Sequence, residues 1–595
     1  MRQTAQYADK ISDHPHPSWF DAVLFRGKVT LLQLRRSVQD GLSHETDRYP
    51  RANELVDRSI IAESITPIWT AAEPSEQYLL AGKAHNLRII LRRLNGIEVP
   101  PNGTFSFWKQ LGRVTRRRGF VAGREVREGC IIPNIGGGLC QLSNALYDAA
   151  LSAGFEIVER HAHSRVIPGS LAEVDRDATV FWNYVDLRFR SPEGFRIEAF
   201  LTGDSLIVRF RGTPRLRLHQ IGRAVRAVGP SKAFSDAAEL HSCVTCNTQD
   251  CFRHVPPTSR ETSFGRAAFL VDDYWPEFDR YLDSIKRESD LLCLPLDGRQ
   301  YGKSNYAWGT DSFRQVNQHR LFTLYRSHRS RRLAHQGAAR QRALLANYER
   351  LAHLYSKYLT YEVTHVTLMQ QLLPYLWREG HLGGRTFDVL MTSLPMQTLQ
   401  DRLDAAAALH PESMTLADFR ADRQLVQAET EALQQARRIV TPHTEIARLF
   451  PDKAMLIDWE IPKLKRNPSE SLNSPAFLFP AATVGRKGAY ELREALQGLN
   501  MSLAITGPML EAADFWRGVN VRLGRFSDWM GNTAAVVLPA FIEHQPRRLL
   551  EAVAHGVPVI ASTACGLENV SGVISVQPGD VDSLRAALMR LLPAS

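Results

Sequence analysis

"VVLPAFIEHQPRRLLEAVAHGVPVIASTACGL", residues 536–567, decides how the C-terminal part of this chain folds. "AAVVLPA" and "VPVIAS" are short apolar runs of the kind buried parallel strands carry, and "PRRLLEAVAHG" between them reads as a helix. The same alternation extends outward: "SPAFLFPAATV", "MSLAITGP" and "GVISV" are further strands, with "RKGAYELREALQGL" and "DVDSLRAALMRLL" as helices. The expectation is a doubly wound α/β domain. Upstream, "RAAFLVDD", "DLLCLPLD", "FDVLMTSLP" and "ARRIVTP" repeat the pattern from about residue 263.

At 595 residues the chain has room for several domains, and 44% hydrophobic with 23% charged residues is an ordinary globular composition. A net charge of +10 favours anionic partners such as activated nucleotide donors or phospholipid head groups. Nucleic acid fits poorly, because the basic residues do not form an aromatic-interleaved module. The arginine clusters "RVTRRRG" (113–119) and "RSHRSRR" (326–332) read as solvated faces. The first twenty residues lack the apolar stretch of a secretory signal, and no run reaches the ~18 apolar residues of a membrane span. The expected location is cytoplasmic, with room for a peripheral contact at the inner membrane face. Seven cysteines, unevenly spaced, suit reduced thiols.

The first half is organised differently. Residues 1–78 are mixed and uninformative. "LLAGKAHNLRIILRRLNG" (79–96) carries a helical stripe of Leu80, Leu87, Ile90, Leu91 and Leu94. Strand-like runs "FEIVERHAHS", "ATVFWNYVDLRFR" and "FRIEAFLTGDSLIVRFRG" then complete an α+β module ending near residue 212. Within it, "NIGGGLCQLSN" (134–144) places Cys140 at the first turn of a helix, where the dipole and free N–H groups favour a thiolate. His161 and His163 follow 21 and 23 residues later, and strand alternation would put both on one face. Asp177 and Asp186 follow. A thiol, an imidazole and a carboxylate in this order suit a nucleophilic site, with Gln141 or the glycine-loop amides as oxyanion donors.

Residues 213–262 read as a connector. "HSCVTCNTQDCFRH" (241–254) sets Cys243, Cys246, Cys251 and His254 in a Cys-x2-Cys-x4-Cys-x2-His arrangement, which suits structural zinc or, alternatively, an iron–sulfur cluster.

Two resemblances extend these readings. "LNGIEVPPNGTFSFWKQLG", "IIPNIGGGLCQLSNALYDAALSAGFEIVERHAHS" and "DATVFWNYVDLRF" make residues 79–212 similar to the VanW-like family, which is associated with bacterial cell-wall contexts. The segment 536–567, with "GRKG" (485–488) and "TEALQQARRIVTPHTEIARLF" (430–450) before it, resembles retaining GT-B glycosyltransferases. That resemblance implies two Rossmann-like lobes, an acceptor lobe at 263–465 and a donor-binding lobe at 466–595. It implies a nucleotide-diphospho-sugar donor and a glycan or lipid-linked acceptor. Its paired glutamates fall on Glu543 and Glu551, with Glu543 facing the transferred sugar and Glu551 the ribose. Arg486 and Lys487 fall at the basic phosphate site. Pro546 stands where the family usually has glycine, and Thr392 and Ser393 stand where the acceptor-lobe strand often ends in histidine. The implied function is a glycosyltransferase acting in cell-envelope or surface-glycan assembly, with a VanW-like accessory module. The alternatives are Cys140-dependent acyl or amide chemistry on a cell-wall precursor, and a non-catalytic precursor-binding scaffold.

Overall fold

The helical stripe at 79–96 is where the first half of the chain organises itself. In the computed structural model Leu80, Leu87, Ile90, Leu91 and Leu94 are all buried along one helix. The structure describes residues 19–43, 46–70, 76–127, 130–163, 170–214, 241–242, 265–332, 337–417, 420–463, 476–499, 501–524 and 533–591. They form two compact units, the first of which also takes in the short stretches 359–364 and 379–385.

The first unit is the expected α+β module. It contains α1 (Trp19–Ser43), β1 (Ile60–Pro67), α2 (Gln77–Leu94), β2 (Ile97–Val99), β3 (Thr104–Ser106), α3 (Phe107–Leu111), β4 (Ala122–Arg127), β5 (Cys130–Ile135), α4 (Leu139–Ser152), β6 (Glu156–Glu159), β7 (Arg188–Arg190), β8 (Phe195–Leu201), β9 (Ser205–Gly212) and β10 (His241–Ser242). An antiparallel sheet runs in the order β1-β9-β8-β2, beside the three-stranded sheets β3-β7-β6 and β10-β5-β4. The helix α4 packs on β1 and β9. Phe105, Phe155, Phe189, Phe195 and Phe210 fill the core beneath it.

Residues 1–78 are therefore not featureless. The strand β1 is hidden in the sequence because its buried positions are the small Ala62, Ser64 and Thr66, while Ile60 and Ile65 face outward. The alternation is inverted, so a search for apolar periodicity passes over it. The run 178–190 is also less strand-like than its composition suggests. Only Arg188–Arg190 is a strand, because Asn183 adopts a left-handed φ of 58° and turns the chain between Phe181 and Val185.

The second unit consists of two open α/β sheets. The first is ordered β13-β12-β11-β14-β15-β16-β17. Its strands are β11 (Arg266–Leu270), β12 (Leu291–Leu294), β13 (Gln315–Gln318), β14 (Val363–Met369), β15 (Thr386–Leu390), β16 (Arg438–Thr441) and β17 (Ala454–Leu456). The helices between them are α5 (Pro276–Ile285), α6 (Gly298–Tyr301), α7 (Arg320–Arg332), α8 (Gly337–Ser356), α9 (Leu373–Arg378), α10 (Met396–Leu409), α11 (Arg423–Gln435) and α12 (Thr444–Arg448).

The second sheet is ordered β20-β19-β18-β21-β22-β23, all parallel. Its strands are β18 (Ala476–Phe479), β19 (Ser502–Ile505), β20 (Asn520–Leu523), β21 (Thr533–Leu538), β22 (Val559–Ser562) and β23 (Val573–Val576). The helices are α13 (Ala489–Leu496), Arg547–Ala554 and Val581–Arg590. These are the two Rossmann-like lobes of the GT-B expectation. From β18 the chain winds to one side through β19 and β20. It then restarts beside β18 with β21 and winds to the other side. The reversal of strand order thus falls between β18 and β21.

One arginine cluster departs from expectation. In "RSHRSRR" the side chain of Arg326 is not solvated. It is buried in α7, where it binds both carboxylate oxygens of Asp272 and donates to the Tyr306 hydroxyl at 2.8 Å.

Candidate functional site

The loops following β18 and β21 flank the point where strand order reverses, the place where open α/β sheets leave a crevice for ligands. After β18 the chain makes the tight turn Gly485–Lys487 before entering α13. Gly488 closes it at φ 73°, and a Cβ there would fall on the carbonyl oxygen of Pro539. Only glycine lets the basic turn lie this close to the β21 loop. In return, the amides of Phe541 and Ile542 donate to the Arg486 carbonyl at 3.0 and 3.2 Å.

Lys487 and Glu543, far apart in sequence, meet at this point. The lysine Nζ lies 2.8 Å from Glu543 Oε2 and also donates to the Ile542 carbonyl at 3.1 Å. The second Glu543 oxygen accepts the Gln545 amide at 2.9 Å. His443 Nε2 contacts the Glu543 carbonyl at 3.0 Å, and burial lowers the basicity of that imidazole. Arg486 and Glu551 are exposed, Glu551 on the helix Arg547–Ala554. So Lys487 and Glu543 are in direct contact, with Arg486 adjacent in the same turn.

Sequence reasoning missed what seats this turn. The segment after α10 reaches the lobe built on the second sheet, where Ser413 and Thr415 donate to Glu511 Oε1. The Gly485 amide donates to both Thr415 Oγ1 and Glu511 Oε1, at 3.0 Å each. These hydrogen bonds hold the Glu511 carboxyl below its ordinary range even though burial pushes it up. Thr392 and Ser393 are hydrogen-bonded to Gln371 and Gln370, within the lobe built on the first sheet.

The first unit carries a second cluster. Cys140 is the second residue of α4, half-buried, with Sγ 4.0 Å from Thr179 Oγ1. His163 interacts electrostatically with the Cys140 side chain. Its Nδ1 lies 2.7 Å from Asp177 Oδ2, which also accepts the His163 amide at 2.6 Å. Burial works against a charged imidazole, but contact with Cys140 and Asp177 outweighs it and raises the His163 pKa. Burial likewise pushes the Asp177 carboxyl up, and the bonds from His163 outweigh it and lower the pKa. Arg160 fixes Asp177 from the other side, with Nη2 2.7 Å from Oδ1 and Nε 2.7 Å from the backbone carbonyl.

Three expectations about this cluster need correction. The two histidines do not share a strand face, because β6 ends at Glu159. The exposed His161 turns instead toward Glu159, 3.4 Å away. Asp186 is engaged elsewhere, accepting from Ser106 Oγ at 2.6 Å, the Trp108 amide and Arg188. Gln141 also points away, its amide donating to Thr66 Oγ1 and the Pro67 carbonyl.

Cys243, Cys246, Cys251 and His254 lie outside the described residues. Among the described residues, no group of three or more His, Cys, Asp or Glu side chains is placed to hold a metal ion. Nor is any described helix long and apolar enough to cross a membrane.

Comparison with known proteins follows this division. Residues 82–211 match the family described as VanW like protein. Residues 482–593 match the family described as Glycosyl transferases group 1. YoaR of Bacillus subtilis (strain 168), itself uncharacterised, is 33% identical over 184 residues, 30% of this chain and 59% of that protein. The vancomycin B-type resistance protein VanW of Enterococcus faecalis (strain ATCC 700802 / V583) is 30% identical over 127 residues, 20% of this chain and 46% of that protein. The chain thus spans about half the length of the curated relatives it matches. Sucrose-phosphate synthase from Thermosynechococcus elongatus aligns at a TM-score of 0.34 with 14% identity, over 55% of this chain and 89% of that one. The chain joins a VanW-like region to a C-terminal region matching the group 1 glycosyl transferases.

Proposed function

We propose that this chain is a retaining glycosyltransferase that moves a sugar from a nucleotide-diphospho-sugar to a cell-envelope or surface glycan, free or lipid-linked. The observation that carries this reading is the Lys487–Glu543 pair. It sits at the reversal of strand order between β18 and β21, inside the region that matches group 1 glycosyl transferases. In this reading Lys487 and Arg486 meet the diphosphate and stabilise the charge that gathers on it as the glycosidic bond breaks. Glu551 accepts from the ribose hydroxyls, and Glu543 faces the transferred sugar. Because the Gly485 amide is already satisfied, the side chains supply the phosphate contacts. The VanW-like region supports an acceptor in the cell envelope, the context associated with that family. The net charge of +10 suits both an anionic donor and an anionic surface at the inner face of the membrane.

A thermal-shift screen of nucleotide sugars identifies the donor, and calorimetry then tests the site. Losing a charge-assisted phosphate contact costs about 1.5–3 kcal/mol, so Lys487→Ala is expected to weaken donor binding about ten- to a hundredfold. Glu551→Ala is expected to weaken it through the lost ribose bonds. Normal donor affinity in both variants would overturn this reading. Glu543→Ala is expected to depress kcat more than donor affinity, as steady-state kinetics would reveal. A product keeping the anomeric configuration of the donor would support retention.

A further inference from the structure

We propose that Cys140, His163 and Asp177 form a second active centre, in which the Cys140 thiol is a nucleophile toward the carbonyl of an amide or ester acyl donor. This inference does not depend on the glycosyl-transfer reading.

The local fold converges on the thiol from three directions. The glycine turn before α4 brings Cys140 into the first helical turn, whose amides have no carbonyl within the helix to receive them. Gly138 makes this possible at φ 101°, where a Cβ would collide with the Lys83 side chain. The irregular segment carrying Asp177 is stapled to α4. Ser143 Oγ donates to the Ala178 carbonyl at 2.5 Å, and the Ala178 amide donates to Asn144 Oδ1 at 2.8 Å. The segment carrying His163 is held to that segment by the Thr179 amide, which donates to the His161 carbonyl at 2.8 Å. Asp177 then fixes His163 through both its ring and its amide. A buried carboxylate aligning an imidazole against a partly exposed thiol at a helix start is the arrangement of an activated nucleophile.

Lys83, buried against the glycine turn, has its amine pushed down to about 8 by burial and by Arg124. The amides of the α4 first turn favour negative charge developing beside Cys140.

The reaction balances with these groups alone. The thiol proton passes to His163, and Sγ adds to the acyl carbon. The tetrahedral intermediate collapses to a thioester, and the amine or alcohol leaves with the proton from His163. Water or an amine then adds to the thioester, giving its proton to His163. Expulsion of the thiolate and return of that proton restore Cys140. Asp177 acts as a positioning residue.

The test uses the full chain with p-nitrophenyl acetate and, separately, iodoacetamide. A burst of nitrophenolate equal to the protein concentration is expected, with mass spectrometry locating the acetyl group on Cys140. Cys140→Ala is expected to remove the burst, and Cys130→Ala to keep it. His163→Ala is expected to slow acylation about 10²- to 10⁴-fold. Asp177→Asn is expected to move the pH limb reporting His163 to lower pH, because the carboxylate that favours the imidazolium is lost. A merely structural role would leave that limb in place. At pH 6, iodoacetamide is expected to label Cys140 well before the buried Cys293 and Cys565, whose thiols burial pushes upward, the latter to about 12. A burst that survives Cys140→Ala overturns the proposal, as does the absence of a burst together with labelling no faster than at Cys130.

Discussion

Asp272→Ala is expected to remove about 3–5 kcal/mol from the stability of the second unit, the effect of stranding a buried charge. The side chains of Asp272 and Arg326 are only 2% and 9% exposed. Burial alone would disfavour the guanidinium. The Asp272 carboxylate and the Tyr306 hydroxyl outweigh it and hold Arg326 charged. Removing Asp272 leaves the Arg326 guanidinium with the neutral Tyr306 hydroxyl as its remaining side-chain acceptor, and Asp273 interacts with it only electrostatically. Urea unfolding measures the loss, and a change below about 1 kcal/mol would show that water or another group compensates. The double substitution Asp272→Leu with Arg326→Met is expected to recover most of the loss, because apolar residues of similar volume carry no desolvation cost.

Phe210→Ala is expected to cost the first unit about 3–5 kcal/mol. Phe210 is fully buried in β9, with ring centroids of Phe155, Phe195 and Phe189 at 5.2, 5.5 and 5.6 Å. The cavity is surrounded by rings anchored in three separate segments, so no single side chain can swing in to fill it. Thermal or denaturant unfolding measures the loss, and a value below about 1.5 kcal/mol would mean that the cluster collapses around the gap.

The same contrast between local and distant determinants explains what was legible in the sequence. In the C-terminal lobe the runs at 476–479, 502–505, 536–538 and 559–562 are buried on both faces, so their apolar continuity is visible without knowing their neighbours. The edge strand β20, Asn520–Leu523, is largely exposed and carries no such signal. The strand β1 is invisible because its outward residues are its apolar ones. Local pattern places Cys140 at a helix start, but the choice of His163 over His161 depends on where β6 ends and on Asp177. Arg326 fails for the same reason. Nothing in "RSHRSRR" announces a carboxylate more than fifty residues upstream.

The Lys487–Glu543 contact carries one more implication, for the energetics of an occupied site. A carboxylate already sits where an anionic ligand would approach the lysine, so in the proposed reading Glu543 would be an intramolecular competitor for the donor. The affinity measured in solution is then a difference, the gain from the phosphate contacts less the cost of parting the pair. For a half-buried pair that cost is on the order of 1 kcal/mol, about a fivefold penalty in Kd. The arrangement also returns something. In the glycosyl-transfer reading proposed above, a diphosphate that took Lys487 would release Glu543 as the sugar arrived beside it, so a single exchange of partners would couple loading of the donor to arming of the carboxylate.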